Sequence, residues 1–456
     1  MAVRHLLLAV AVGTGAATLS LTQAAPAERP AAAFDYKLPR EIHFTGNLSC
    51  ASAACHAGAD AGRPGGEYAA WVHGDPHSRA YEALFKQASR RMVERLHADR
   101  PGKPVPAHQS ERCLSCHAPQ ASHDSTSVRG VGCESCHGPA EKYLTVHYQH
   151  EFKALTRHEK AERYGLYPAK DLAFRVTLCA SCHVGNAGRD VDHALLAAGH
   201  PRLAFEYTGY HHNPRYQRHW RETAYGPDFD ARGWEIGQIA CAKSAAELLA
   251  ARAGSPDRPW PELAESSCFA CHKDLSGWLK ARAGSARKPG SLSWGTWYFS
   301  ALDLGAGDDT LRGEVRKVAE RMENTPGDRT EIAARAGRLA KRLSGRLREL
   351  QDAADADSLA RPYDGKQLAA RYDTVVRHAL MARDWDGLTQ HYLAAAAIYY
   401  AWALAPGVRD PRPRAPLGQL GESLRFPKGY NSPHGADPDR LLELFRKLRP
   451  ESGEHP

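Results

Sequence analysis

Five pairs of cysteines, each followed at once by a histidine, constrain this chain more than any other feature of its sequence. Composition alone predicts about 0.014 occurrences of the two-residue spacing, C-x-x-C-H, whereas the chain contains four. The fifth pair has four intervening residues. In chain order, the first to fifth motifs are Cys50–His56, Cys113–His117, Cys133–His137, Cys179–His183 and Cys268–His272.

Covalent attachment of haem explains this spacing. The two cysteine sulfurs add to the two vinyl groups of one haem, and the adjacent histidine binds one face of the iron. Disulfides do not require a histidine after every pair, and neither does a tetrahedral zinc site. We therefore expect five haem c groups. The attaching residues are Cys50, Cys55, Cys113, Cys116, Cys133, Cys136, Cys179, Cys182, Cys268 and Cys271, and the proximal ligands are His56, His117, His137, His183 and His272.

One segment predicts two histidine ligands on the second faces of the irons. The spacing predicts a short helix with Asp190 as its N-cap and Gly199 as its C-terminal stop, reinforced by Pro201. His193 and His200 lie near its two ends, about 10 Å apart along the axis. One rigid element could therefore ligate two different haems.

Other histidines are candidates for the remaining iron faces. Pro76 restrains the chain just before His77, which favours His77 as a ligand, with His73 as its alternate. His147 lies on a helix-like stretch ten residues after the third motif, with His150 as its rival. The fifth position stays open among His43, His108, His123, His211, His212 and His219.

Three stretches of the chain resemble the multihaem cytochrome c family related to cytochrome c-554. These stretches are Gly130–Pro139, Cys179–Gly185 and Ala197–Leu203, and the resemblance covers about residues 40 to 300. It implies closely stacked c-type haems, mostly with two histidine ligands, that transfer electrons. It also supports His77, His193 and His200 as ligands.

The predicted fold class is mainly α, with a loop-rich multihaem cytochrome c domain and a C-terminal all-helical domain. Haems at about 45 residues per motif supply much of the hydrophobic core, so we expect short motif helices, irregular connections and little sheet. The unpaired Cys241 is predicted to be a buried apolar residue. The predicted division is a signal peptide over 1–24, a pentahaem cytochrome c domain over 25–300 and a helical accessory domain over 301–456.

The part that follows the last motif contains no cysteine and is predicted to be helical. Two charged helices are expected within residues 310–354, separated by Asn324–Gly327. Apolar residues at helical spacing over 388–402 predict a buried face, and Asp437 is expected to cap a last short helix at Pro438. The aromatic stretch 294–299 fits either packing near the last haem or ordinary core.

The N-terminus predicts export. Arg4, an apolar stretch over residues 6–21 and small residues at 22–24 are typical of a secretory signal, which indicates a periplasmic protein without a membrane span after signal removal. The net charge of +8 does not indicate nucleic-acid binding, because 60 basic residues are mixed with 52 acidic ones. Signal removal and five haems with ionised propionates bring it to about +2.

Two functions fit these patterns. The favoured one is a periplasmic electron carrier whose haems, mostly with two histidine ligands, pass electrons between redox protein partners. The alternative is a haem oxidoreductase that acts on a small nitrogen compound at one open-faced haem. The spin state of the ferric protein separates the two.

Overall fold

The computed structural model describes most of the chain from residue 41 to residue 449. The described ranges are 41–98, 102–119, 130–213, 226–271, 292–324, 326–355, 362–382, 384–408, 414–428 and 436–449, with residues 39, 216, 219 and 433. The predicted signal peptide, His123 and His272 lie outside these residues.

Helices dominate this part of the chain, which confirms the mainly-α prediction, and its β structure is limited to two isolated bridges, Asn186–Arg189 and Ser266–Trp294. Short helical turns precede or connect the helices at Asn47–Cys50, Glu67–Ala69, Ala70–Gly74, Pro76–Arg79, Glu82–Phe85, Ala107–Gln109 and Leu263–Glu265. The longer α-helices are α1 (Gln87–Leu96), α2 (Glu111–His117), α3 (Cys133–His137), α4 (His150–Ala154), α5 (Arg157–Tyr164), α6 (Leu172–His183), α7 (His193–Ala198), α8 (Tyr207–His211), α9 (Phe229–Gly254), α10 (Cys268–Cys271), α11 (Leu302–Ala306), α12 (Asp309–Asn324), α13 (Arg329–Asp355), α14 (Gly365–Ala379), α15 (Trp385–Leu404), α16 (Arg414–Ser423) and α17 (Pro438–Lys447).

Four of the motifs lie on helices, as the sequence predicts. Helices α2, α3, α6 and α10 carry the cysteine pairs of the second to fifth motifs. The first motif differs, because a helical turn ends at Cys50 and the rest of the motif is a series of turns. Its longer spacing therefore accompanies a different backbone path between the two cysteines.

Helix α7 confirms the predicted helix between His193 and Gly199 but corrects its N-cap. Asp192, not Asp190, caps the helix by accepting a hydrogen bond from the backbone N–H of Leu195 at 2.9 Å. Gly199 ends it with a φ of 117°, a backbone conformation that favours glycine. Asp190 is instead paired with the guanidinium groups of Arg252 and Arg258.

Three local predictions for the C-terminal part are confirmed, except that Trp402, on the predicted buried face, is half-buried. Helices α12 and α13 are the two charged helices, and α15 buries the face that runs from Leu388 to Ile398. The side chain of Asp437 caps α17 by accepting from the N–H groups of Asp439 and Arg440. Within the residues described, no helix has the length and hydropathy needed to cross a membrane.

Helix α9 links the motif-bearing part of the chain to the C-terminal helices. It packs against α6 on one side and against α11, α13 and α15 on the others. Cys241, 4% exposed, lies in this core, which confirms its predicted burial. One apolar cluster thus contains residues on both sides of position 300, and the division into domains at that position stays a prediction.

A buried ion pair and an aromatic group strengthen this link. Arg202, two residues after His200, donates to both carboxylate oxygens of Asp386 at 3.0 and 2.7 Å. Its guanidinium also lies over the ring of Phe269, which sits between the cysteines of the fifth motif. Trp297 is buried and donates to the carbonyl of Phe205 at 3.0 Å, so the aromatic stretch is part of the core that joins the two parts.

Candidate haem-binding site

The first four motifs line one large cavity. Its volume is about 2770 Å³, and apolar side chains form most of its wall. The eight cysteines of these motifs and their four histidines all face it. Four motifs that are far apart in sequence therefore share one interior.

Each motif histidine in this cavity has one non-motif histidine opposite it. The ring centres are 6.0 Å apart for His56 and His147, 5.9 Å for His183 and His77, 6.4 Å for His117 and His200, and 6.1 Å for His137 and His219. An imidazole nitrogen binds a metal at about 2 Å, so two imidazoles on opposite faces of one iron have ring centres about 6 Å apart. All four pairs have the separation that a shared iron requires.

Hydrogen bonds orient several of these rings. Nδ1 of His117 lies 2.9 Å from the carbonyl oxygen of Ala80, and Nδ1 of His147 lies 2.9 Å from that of Tyr143. Nδ1 of His200 lies 2.8 Å from the carbonyl oxygen of Pro201. Because a carbonyl only accepts, each Nδ1 carries the hydrogen, and Nε2 keeps its lone pair for a metal.

Carboxylates orient the imidazole rings of two other histidines. Nδ1 of His77 lies 2.9 Å from Asp75, whose side chain also accepts from the backbone N–H of His77. Nδ1 of His56 lies 3.1 Å from Glu67. Carboxylate partners of this kind fix the ring orientation and increase the basicity of a ligating imidazole.

Burial favours the neutral form of four of these imidazoles. It lowers the pKa of His137 to about 4, helped by the charges of His219 and neighbouring groups, and that of His183 to about 4. The pKa values of His200 and His219 are lowered for the same reason. Burial also opposes protonation of His77, but Asp75 outweighs it and raises that pKa. A neutral imidazole is the form that binds a metal.

The predicted second ligands and their rivals differ in position. His77, His147 and His200 line the cavity, whereas His73 and His150 are exposed. Among the candidates for the open position, His219 lies opposite a motif histidine. Of the others that the structure describes, His43 is paired with Glu141, His108 stacks on Phe85, His211 stacks on Tyr207 and His212 is paired with Asp230.

His193 does not face the cavity. Its backbone N–H donates to Glu262 at 2.9 Å, and α7 packs against the turn Leu263–Glu265, which leads into the fifth motif. His193 and His200 thus lie in different environments at the two ends of one short helix.

Contacts between cysteines show which motifs are neighbours. The thiol of Cys50 hydrogen-bonds with that of Cys133, and the thiol of Cys116 with that of Cys182. Cys136 lies close enough to Cys179 for their charges to interact, and burial raises its pKa to about 12. The spatial order is therefore first, third, fourth and second motif, which differs from the order in sequence.

These features fit haem c better than a metal ion held by side chains alone. Within the described ranges, no group of three or more His, Cys, Asp or Glu side chains has the arrangement of a metal site. The cavity instead offers opposed imidazole pairs, adjacent cysteine pairs and apolar walls.

Comparison with known proteins supports the same chemistry. Residues 49–138 match the family model of cytochrome c554 and c-prime, and this stretch contains the first three motifs and His77. The match relates the chain to the multihaem cytochromes related to cytochrome c-554 and supports a c-type cytochrome that binds haem c. No curated protein and no solved structure matches the chain.

Proposed function

We propose, from this relation to the multihaem c-type cytochromes, that the protein is an exported, periplasmic electron carrier with five haem c groups. Each of the five motifs would hold one haem through its two cysteines. When bound, haem iron supplies a one-electron couple. The protein's own residues attach the groups, ligate them and set the distances between them.

Two imidazoles would ligate each of four irons. The pairs are His56 with His147, His117 with His200, His137 with His219 and His183 with His77. For the fifth iron we propose His272 with His193. The position of His193, beside the turn that leads into the fifth motif, supports this assignment.

The observation that carries the proposal is the second imidazole opposite every motif histidine of the cavity. Iron with two histidine ligands has no free position for a substrate, so such a site exchanges electrons rather than binding a small molecule. This favours a carrier over an oxidoreductase that acts on a nitrogen compound at an open iron.

The contacts between motifs support a relay rather than isolated centres. The first and third motifs, the third and fourth, and the fourth and second are neighbours through their cysteines. Helix α7 would add the fifth, because His200 faces the second motif and His193 lies beside the turn that leads into the fifth. Electrons would enter from one redox protein partner and leave to another along this series.

Two spectra on the purified, exported protein test the proposal. A pyridine haemochrome spectrum is expected to give five haems per chain. Low-temperature electron paramagnetic resonance (EPR) of the oxidised protein is expected to show low-spin ferric iron only. A colourless protein would exclude haem, and a high-spin signal from one haem per chain would favour the oxidoreductase.

A further inference from the structure

Glu134, which follows the first cysteine of the third motif, is a buried carboxylate with an exposure of 2%. The backbone N–H groups of Thr45, Gly46 and Ala140 donate to it at 2.8, 2.7 and 2.7 Å, and the hydroxyl of Thr45 donates at 3.3 Å. All four contacts are donors, so both carboxylate oxygens of Glu134 act as acceptors. Charge-assisted bonds of this kind are the strong ones.

These bonds join the backbone just before the first motif to the start of the third. The N–H of Cys133 adds a bond to the side-chain oxygen of Asn47 at 3.1 Å. The approach is so close that a Cβ on Gly132 would lie 1.8 Å from that oxygen. A side chain at position 132 would therefore displace the amide of Asn47 and break this bond.

The carboxylate also lies near the cysteines that would bear the two haems. Its charge acts on the thiol of Cys50, which hydrogen-bonds with Cys133, and Glu134 itself lines the cavity. Reduction of a ferric haem removes one positive charge from its centre. A fixed negative charge nearby stabilises the ferric state, and low exposure to water keeps that effect strong.

We propose that Glu134 is a positioning residue that docks the first motif on the third and, through its charge, lowers the reduction potentials of the haems at these two motifs. The inference rests on the proposed function, because it requires haem at both motifs. The side chain does not ligate iron. It acts through the distance between the two segments and through its electric field.

The test replaces Glu134 by glutamine, which keeps the size of the side chain and removes its charge. A spectroelectrochemical titration of the holoprotein is expected to show two of the five potentials raised. We expect the equilibrium constant for reduction to increase about tenfold at each, which is about 59 mV for a one-electron couple. The haem count of wild type and variant is measured first, by the pyridine haemochrome spectrum.

Glu141→Gln is the matched control. Glu141 also accepts a hydrogen bond from the segment before the first motif, from the backbone N–H of His43 at 2.9 Å. Its side chain is 45% exposed, so solvent screens its charge. Loss of this carboxylate is expected to change no potential by more than the equivalent of a threefold change in the equilibrium constant.

The possible outcomes distinguish a failure of the proposed function from a failure of the inference about Glu134. Wild-type protein without haem would contradict the proposed function. A Glu134→Gln protein with all its haems and with potentials like those of the control would overturn the present inference. If Glu134→Gln does not assemble, Glu134→Asp, which keeps the charge, is expected to assemble. Its reduction potentials are expected to differ from those of wild type by less than a threefold change in the equilibrium constant for reduction. A Glu134→Asp protein that also fails to assemble, or whose potentials rise tenfold, would overturn the charge argument.

Discussion

Replacing His219 with alanine is expected to leave one iron per chain with a single histidine ligand. The imidazole of His219 lies 6.1 Å from that of His137, centre to centre, in the cavity that the first four motifs line. The histidines nearest to this pair are engaged, since His56 and His147 face each other. Neither of these two histidines is therefore free to replace it, and ferric iron with one strong axial ligand is expected to become high-spin.

The size of the effect follows from the motif count. With the five haems that we propose, one of five loses its ligand, so about one fifth of the ferric iron is expected to change from low-spin to high-spin, without loss of haem. EPR with spin quantification measures this fraction. Imidazole added to the variant is expected to restore the low-spin signal, which a merely structural defect would not allow.

His212→Ala provides the matched control. His212 lies on the same segment but is paired with Asp230 at 2.7 Å and does not line the cavity. Its loss is expected to leave the spectrum unchanged. The reasoning would be refuted if His219→Ala stayed fully low-spin, or if both variants gave the same high-spin fraction.

Three other outcomes follow from the site. His193→Ala and His200→Ala are expected to perturb different haems, and EPR difference spectra that coincide would contradict the two-haem role of α7. The rings of His56 and His147 are nearly parallel, at 14°, whereas those of His117 and His200 are perpendicular, at 90°. The first pair is therefore expected to give an ordinary rhombic low-spin EPR spectrum and the second a more anisotropic one. If variants that each lack one of these ligands showed that both pairs give the same signal, this expectation would be contradicted. Asp190→Asn is expected to destabilise the holoprotein by about 2 kcal/mol at pH 7 in denaturant unfolding, because it leaves the buried guanidinium of Arg252 with Glu265 as its remaining carboxylate partner. Burial opposes ionisation of Asp190, but its arginine partners outweigh this and lower its pKa. The difference in stability between wild type and Asp190→Asn is therefore expected to persist down to about pH 4 and to shrink as the pH falls further. A stability difference that did not depend on pH would argue against the ion pair.

Local features of this fold could be predicted from sequence because they depend on neighbours in the chain. The motif helices, the stop at Gly199 and the cap at Asp437 each follow from a few consecutive residues. The error at Asp190 has a long-range cause. Its carboxylate is taken by Arg252, which is 62 positions away, and this leaves Asp192 to cap the helix.

Pairings between distant histidines could not be predicted in the same way. His137 and His219 are 82 positions apart, and nothing in the local pattern distinguishes His219 from the other candidates for the open position. His147 and His77 had neighbouring rivals, and burial separates them from those rivals only after the chain has folded. Sequence spacing predicts which cysteines attach a haem, whereas tertiary packing determines which histidine lies opposite each motif histidine of the cavity.

Among the described residues, the segments around the first three motifs have little apolar packing of their own. The buried apolar cluster of residues 84–107 has three members, as does that of residues 140–152, whereas the helices after them share two large cores. We expect the exported chain to pass through a stage in which its leading half is still open and its thiols are accessible to the attachment enzymes. Maturation and folding of that half would then be a single event, and a chain made without haem would keep only its trailing helices in order.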